Sequence, residues 1–156
     1  MLSVILSRET CAECRNCCIF EEQSAWELPA FSVGAAARLA DHPDYPMKEE
    51  NGKYCISLPY DETHAAQPCP FLDPDAGCML PPEEKPFASS IWPVRVMRDQ
   101  NDTERLALYQ GCPGIPAADH TALDRLLDAG LRDRILAEAS ADPTLILPYH
   151  PNYQFL

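Results

Sequence analysis

Cys11-Ala12-Glu13-Cys14-Arg15-Asn16-Cys17-Cys18 places four thiols within eight residues near the start of the chain. Four more follow at Cys55, Cys69, Cys78 and Cys112. Thiols at this density form disulfides, hold a metal or react. Two residues between successive cysteines make one tight turn, which aims the sulfurs at a common centre while backbone N–H groups face the thiolates. The spacing favours metal and predicts a fold organised around a cysteine-ligated centre.

The rest of the composition fits that reading. A length of 156 residues suits one domain. We expect a single cysteine-cluster domain over 1–156, with its core in 8–115, a helix in 119–141 and an apolar tail in 142–156. Apolar residues make up 46% of the chain, enough for a core, but its 16 prolines are about twice the usual share. They cluster with short apolar runs, so the elements should be short. The expected class is α+β: a small, loop-rich domain with short helices and a β-hairpin. In such a domain, metal crosslinks supply part of the folding free energy.

The formal net charge is −12. It argues against nucleic acid, whose binders carry a basic stripe, and against an anionic membrane surface. Solubility is its simplest consequence. The apolar start Met1–Leu6 ends at Arg8 and Glu9, short of a secretory segment. No run approaches the roughly 18 apolar residues of a membrane span. The expected compartment is the cytoplasm, where thiols stay reduced. Eight cysteines would otherwise read as four disulfides. The absence of a secretory signal and the adjacent Cys17-Cys18 pair both count against that.

Several elements are legible. The cysteine knuckle occupies 8–20 and runs into Ile19-Phe20. Ser32 to Ala40 reads as a short helix with Ser32 as N-cap, ended by His42-Pro43. Lys53 to Leu58 reads as a strand closed by Pro59, and 59–90 as ordered loop. Val94–Arg98 and Arg105–Tyr109 alternate in part, with Asp99–Thr103 as turn material, the pattern of a hairpin. Pairing them would return Cys112 beside Ser89 and Ser90. Thr121 to Ala139 is the clearest helix, with Leu123, Leu126, Leu127, Leu131, Ile135 and Leu136 on one face. Asp119 or Thr121 can cap it, Thr121 and Asp124 fit a capping box, and Asp142-Pro143 ends it. Gly130 should cost that helix about 1 kcal/mol relative to alanine. The tail 144–156 is apolar and aromatic. It should pack along the body, or onto a protein partner or a second copy of the chain.

Cys11, Cys14 and Cys17 repeat at the interval of a bacterial ferredoxin, whose fourth ligand is a cysteine followed by proline. Cys69-Pro70 and Cys112-Pro113 both meet that description. A [4Fe–4S] cluster is therefore preferred, with Zn²⁺ the direct competitor. Cys11 and Cys14 with Cys69 and Cys78 would make a tetrahedral Cys₄ zinc site. Cys17 and Cys18 are adjacent, and in an extended segment adjacent side chains point to opposite sides. On that expectation the two do not ligate one ion together; Cys18 belongs to a second site or packs as a small apolar residue. Cys55, in a strand-like context, reads equally as ligand or core. His42, His64, His120 and His150 lack spaced partners and read as surface or capping residues. Glu83-Glu84 reads as a solvated pair, and Trp26 and Trp92 as core or shell.

The order of these motifs resembles the zinc- or iron-chelating domain family of YkgJ-like cysteine-cluster proteins. CAECRNCC, over 11–18, is similar to the family's first block, and CPFLDPDAGCML, from Cys69, to its second. KPFASSIWP lies where the third block is expected, and Cys112 where a last cysteine is expected. The matched span is about 11–113. The third block departs: Ser89 stands at a family cysteine, and Lys85 and Ser90 at family arginines. If that cysteine is a ligand, Cys112 or Cys55 would have to replace it. The resemblance implies metal or cluster binding rather than a known reaction. Some relatives are similar to the cysteine-cluster part of flagellin lysine methylases, but this chain has no GxGxxG loop or other cofactor cradle.

Three roles follow as expectations: a metal-binding module with a structural or partner-contacting centre, a redox or electron-transfer component, and a zinc or iron trafficking protein. No nucleophile–base pair or paired carboxylates mark catalysis.

Overall fold

A computed structural model describes residues 1–20, 28–40, 45–50, 52–57, 66–116 and 118–156. Trp26, His42 and His64 lie outside them, as does the expected end of the strand at Leu58 and Pro59. The structure mixes short helices with small sheets, as the composition requires. Its contacts gather into two compact units, Cys11–Ser90 and Met1–Thr10 with Ile91–Leu156. The division at Ile91 falls inside the 8–115 stretch read from the sequence as core.

The cysteine-bearing unit, Cys11–Ser90, is built of pieces a few residues long. Helix α1 spans Arg8–Cys14, Ser7 Oγ accepting the Thr10 N–H at 3.1 Å as its cap. It replaces the first part of the expected knuckle. It stops because Arg15 takes a left-handed φ of 56°, a common helix-ending conformation. The chain then turns, with Cys18 N–H donating to Arg15 O at 2.7 Å, and enters β1 (Ile19–Phe20). Helix α2 covers Val33–Leu39, and Ser32 Oγ accepts the Ala35 N–H at 3.2 Å, the cap expected from the sequence. Strands β2 (Met47–Glu50) and β3 (Lys53–Ile56) form a hairpin turning at Gly52. Strand β4 (Gln67–Pro68) pairs antiparallel with β1, and β5 (Leu72–Asp73) pairs with β6 (Gly77–Cys78). The unit ends in a single turn of helix, α3 (Phe87–Ser90), closed by Ser90 Oγ donating to Phe87 O at 2.7 Å.

Its core is Phe20, Leu28, Phe31, Ala35, Ile56, Cys69 and Leu80, flanked by Cys18, Phe71, Leu72 and Cys78. Phe31 and Phe71 meet at 5.6 Å between centroids. Arg38 lies over the Phe71 ring and ion-pairs with Glu84, so Glu84 is engaged rather than simply solvated. Three separate two-stranded ladders and one small core are marginal by themselves.

The other unit has a larger frame. Strands β7 (Val94–Arg98) and β8 (Glu104–Tyr109) form the expected hairpin, with Asp99 Oδ1 accepting the Asn101 and Thr103 N–H groups in its turn. Helix α4 (Thr121–Leu126) passes through a wide turn at Leu127–Leu131 into α5 (Arg132–Ala141), which packs on β7. The tail supplies β9 (Ile146–Pro148), parallel to β7, and β10 (Tyr153–Phe155), antiparallel to β8. The sheet order is β10-β8-β7-β9, so the tail packs along its own unit. Val94, Val96, Met97, Leu106, Ala107 and Leu108 are buried with Leu123, Leu127, Ile135 and Ala139. Consecutive burial along β7 and β8 breaks the simple alternation a one-sided hairpin would show.

Two details of the long helix differ from expectation. Thr121 is its first residue and His120 its N-cap, without a side-chain cap bond; Asp119 Oδ1 instead accepts the Thr121 N–H at 3.3 Å. Asp124 is drawn to His120 Nδ1 at 3.0 Å, so the capping box does not form. Gly130 sits at φ +106°, which breaks the helix between α4 and α5. Alanine at 130 would find open space for its Cβ but a forbidden backbone angle. Gly130→Ala should therefore destabilise the protein by about 1–2 kcal/mol, where an uninterrupted helix would gain. A urea midpoint that falls checks this; one that rises contradicts the kink. Among the described residues, no helix is long and apolar enough to cross a membrane.

Candidate metal centre

Four of the eight cysteines gather in the Cys11–Ser90 unit through backbone geometry. The β1–β4 ladder extends by one bond, Cys69 N–H to Cys18 O at 2.7 Å, which sets Cys18 and Cys69 opposite each other. A turn closed by Leu72 N–H to Cys69 O at 2.9 Å leads into β5, and β6 returns Cys78 opposite Leu72. The β5–β6 turn is held by Asp73 Oδ1, which accepts the Asp75 and Ala76 N–H groups at 2.9 and 2.7 Å. Those bonds, the one from Ala76 first, also lower the Asp73 pKa. Gly77, at φ +76°, makes the left-handed step that delivers Cys78.

Cys17 and Cys18 differ from expectation. Their sulfurs lie 3.7 Å apart, on the same side. The opposite-sides rule fails because the segment is a turn and not an extended strand. Four sulfurs at about 2.3 Å around one zinc stand about 3.8 Å apart along each tetrahedral edge. The Cys17–Cys18 pair already has that separation.

Electrostatics tie in the other two. Cys18 hydrogen-bonds to Cys17, is withdrawn from water, and faces Cys17, Cys69 and Cys78; these raise its pKa far above the ordinary thiol range. Burial pushes the Cys69 thiol up to about 12, and Cys78 and Cys17 add to the rise. Against it act the Phe71 N–H, which bonds the Cys69 sulfur, and the nearby charge of Lys85. A backbone N–H two residues past a cysteine, aimed at its sulfur, stabilises a thiolate ligand. Burial outweighs both, so the net direction for the Cys69 thiol is upward.

Cys11, Cys14, Cys55 and Cys112 belong to other elements. Cys11 and Cys14 share a face of α1 at i, i+3, and Arg15 fastens that end by donating to Ala12 O and Pro74 O at 2.7 and 3.0 Å. Cys55 sits on β3 opposite Lys48, one residue before Ile56, which is fully buried in the core; alternation turns Cys55 to the other face. Cys112 belongs to the other unit, where it is buried at 6% exposure. Ser89 is half-buried in α3. None of the eight cysteines is in a disulfide. Among the described residues, no three His, Cys, Asp or Glu side chains already stand in a geometry that would hold an ion.

Sequence reasoning missed the approach of Cys18 to Cys17 and the charge of Lys85 near Cys69. Lys85 was visible only as a departure from a family pattern. Comparison with protein-family models, with curated proteins and with solved structures returned no match.

Proposed function

We propose that this is a metal-binding protein whose centre is a single zinc held by Cys17, Cys18, Cys69 and Cys78. The observation that carries it is the 3.7 Å separation of the Cys17 and Cys18 sulfurs, the edge of a zinc–thiolate tetrahedron. Cys69, opposite Cys18 with the Phe71 N–H bonded to its sulfur, and Cys78 at the end of β6 both act on the Cys18 thiol and complete the proposed set. The donor set fits the ion: four soft sulfurs suit Zn²⁺, and a closed site of this kind is structural. A [4Fe–4S] cluster would instead place each cysteine sulfur on a different iron. Sulfurs 3.7 Å apart suit one ion better than neighbouring irons of a cube, so zinc takes precedence.

The role is a crosslink. The ion ties the turn after α1 to the β5–β6 hairpin, joining elements that their own short ladders hold weakly. A reducing, cytoplasmic setting suits thiols used this way. Protein purified anaerobically should carry about one zinc per chain and be colourless. About four irons per chain with a broad band at about 400 nm would instead establish the cluster.

A further inference from the structure

Gln67 Oε1 is, among the described residues, the one buried side-chain oxygen or nitrogen without a hydrogen-bond partner. Buried polar atoms are nearly always satisfied, so an orphan calls for an explanation. Its position supplies one. Phe20 faces Gln67 across the β1–β4 ladder, and Cys18 faces Cys69 through the bond that extends it. Opposite residues share a face of a ladder, and so do residues two apart along a strand. Gln67 and Phe20 therefore lie on one face, and Cys69 and Cys18 pack in the same core as Phe20. Phe20 at 1% exposure marks that face as core, and Cys69 is 9% exposed. Residues two apart on a strand are separated by about 6.8 Å, within reach of a glutamine side chain.

We propose that Gln67 is a positioning residue of the thiolate centre, donating a carboxamide N–H to the metal-bound sulfur of Cys69 or Cys18. The inference rests on the zinc reading above. A carboxamide is nearly symmetric in shape, so half a turn about its last bond exchanges oxygen for NH₂ at little steric cost. A protonated thiol is a weak acceptor and gives that NH₂ nothing to hold. A thiolate on zinc is a charged acceptor, and four of them leave a net charge of −2 to be spread over nearby donors. Phe71 N–H and Lys85 already face Cys69, and Gln67 adds a donor from the strand that precedes it.

The test compares wild type, Gln67→Met and Gln67→Glu as full-length chains. Each is measured metal-free for thermal stability, by competition for zinc affinity, and with Co²⁺ for the thiolate-to-metal charge-transfer band. Met has similar length and no orphan atom, so metal-free Gln67→Met should melt at or above the wild-type temperature. Its zinc affinity should nevertheless fall by about 10–100-fold, the usual cost of losing an outer-shell partner, with a shifted cobalt band. Ionised Gln67→Glu offers no N–H and should lose at least as much. Wild type that binds zinc while both variants bind it equally well, with unchanged bands, overturns the role of Gln67 alone. Affinity that falls only in step with metal-free stability marks a packing role and overturns it as well. Wild type that binds neither ion removes the centre and this inference together.

Discussion

Cys69→Ser should lose its bound zinc and most of the stability of the Cys11–Ser90 unit. Cys69 is the most buried of the four proposed ligands and the only one within the apolar core of the unit. A hydroxyl there is a poor zinc ligand and adds a buried polar group. Affinity should fall by more than the roughly 10–100-fold that loss of an outer-shell partner costs. Structural zinc in small domains supplies about 10–16 kcal/mol of apparent binding energy at neutral pH, and in the proposed centre that energy would be folding energy. Amide exchange should then accelerate across 66–80 while the β7–β8 core keeps its protection. Cys17→Ser, Cys18→Ser and Cys78→Ser should behave similarly. Cys55→Ser should keep its zinc, since Cys55 lies on the face of β3 away from the core, and so should Cys11→Ser and Cys14→Ser. Zinc content measured across the series checks this. Loss in Cys11→Ser and Cys14→Ser with retention in Cys18→Ser would instead restore the ferredoxin-like ligand set.

The second large effect is a reversal of pH dependence on metal removal. In the metal-free protein, burial raises Cys69 from its ordinary 9.0 to about 12. The folded state thus holds a proton that the unfolded chain releases above about pH 9. Stability from this group is complete below about pH 9 and is lost as pH rises toward 12, worth up to about 4 kcal/mol. Cys18, also raised, acts in the same direction. In the zinc-loaded protein the order inverts. Binding must expel the protons of Cys18 and Cys69, so these two alone make affinity fall about a hundredfold per unit drop in pH. Metal-free protein should therefore melt earlier in alkali, and loaded protein earlier in acid. Melting temperatures of both forms under reducing conditions, from pH 5 to 10, check this. Parallel profiles would mean that the raised thiols and the metal do not share a site.

Much of the sheet-bearing unit was legible because its signals are local. The β7–β8 hairpin follows from alternation around a turn rich in Asp and Asn, and the end of α5 from Asp142-Pro143. The break at Gly130 was hidden, since the leucine periodicity runs on across it and only the positive φ reveals it. The strands in the tail were hidden too, because their pairing with β7 and β8 spans some 45–50 residues. The mixed helix-and-strand class with short elements was readable from proline content. In the candidate site, the cysteine-rich segment was evident, but the grouping of sulfurs was not. Spacing treats 11–18 as one uniform knuckle. The left-handed Arg15 ends a helix there and throws Cys17 and Cys18 into a turn, where neighbouring side chains can share a side. The approach of Cys69 to Cys18 depends on a ladder between segments some 50 residues apart, which no local pattern encodes.

The most direct measurement is X-ray absorption at the metal edge of the protein as purified. One zinc with four sulfur neighbours at about 2.3 Å, and no second metal nearby, is the expected result. A shell containing nitrogen or oxygen, or iron with iron neighbours, would contradict a four-thiolate zinc centre at Cys17, Cys18, Cys69 and Cys78.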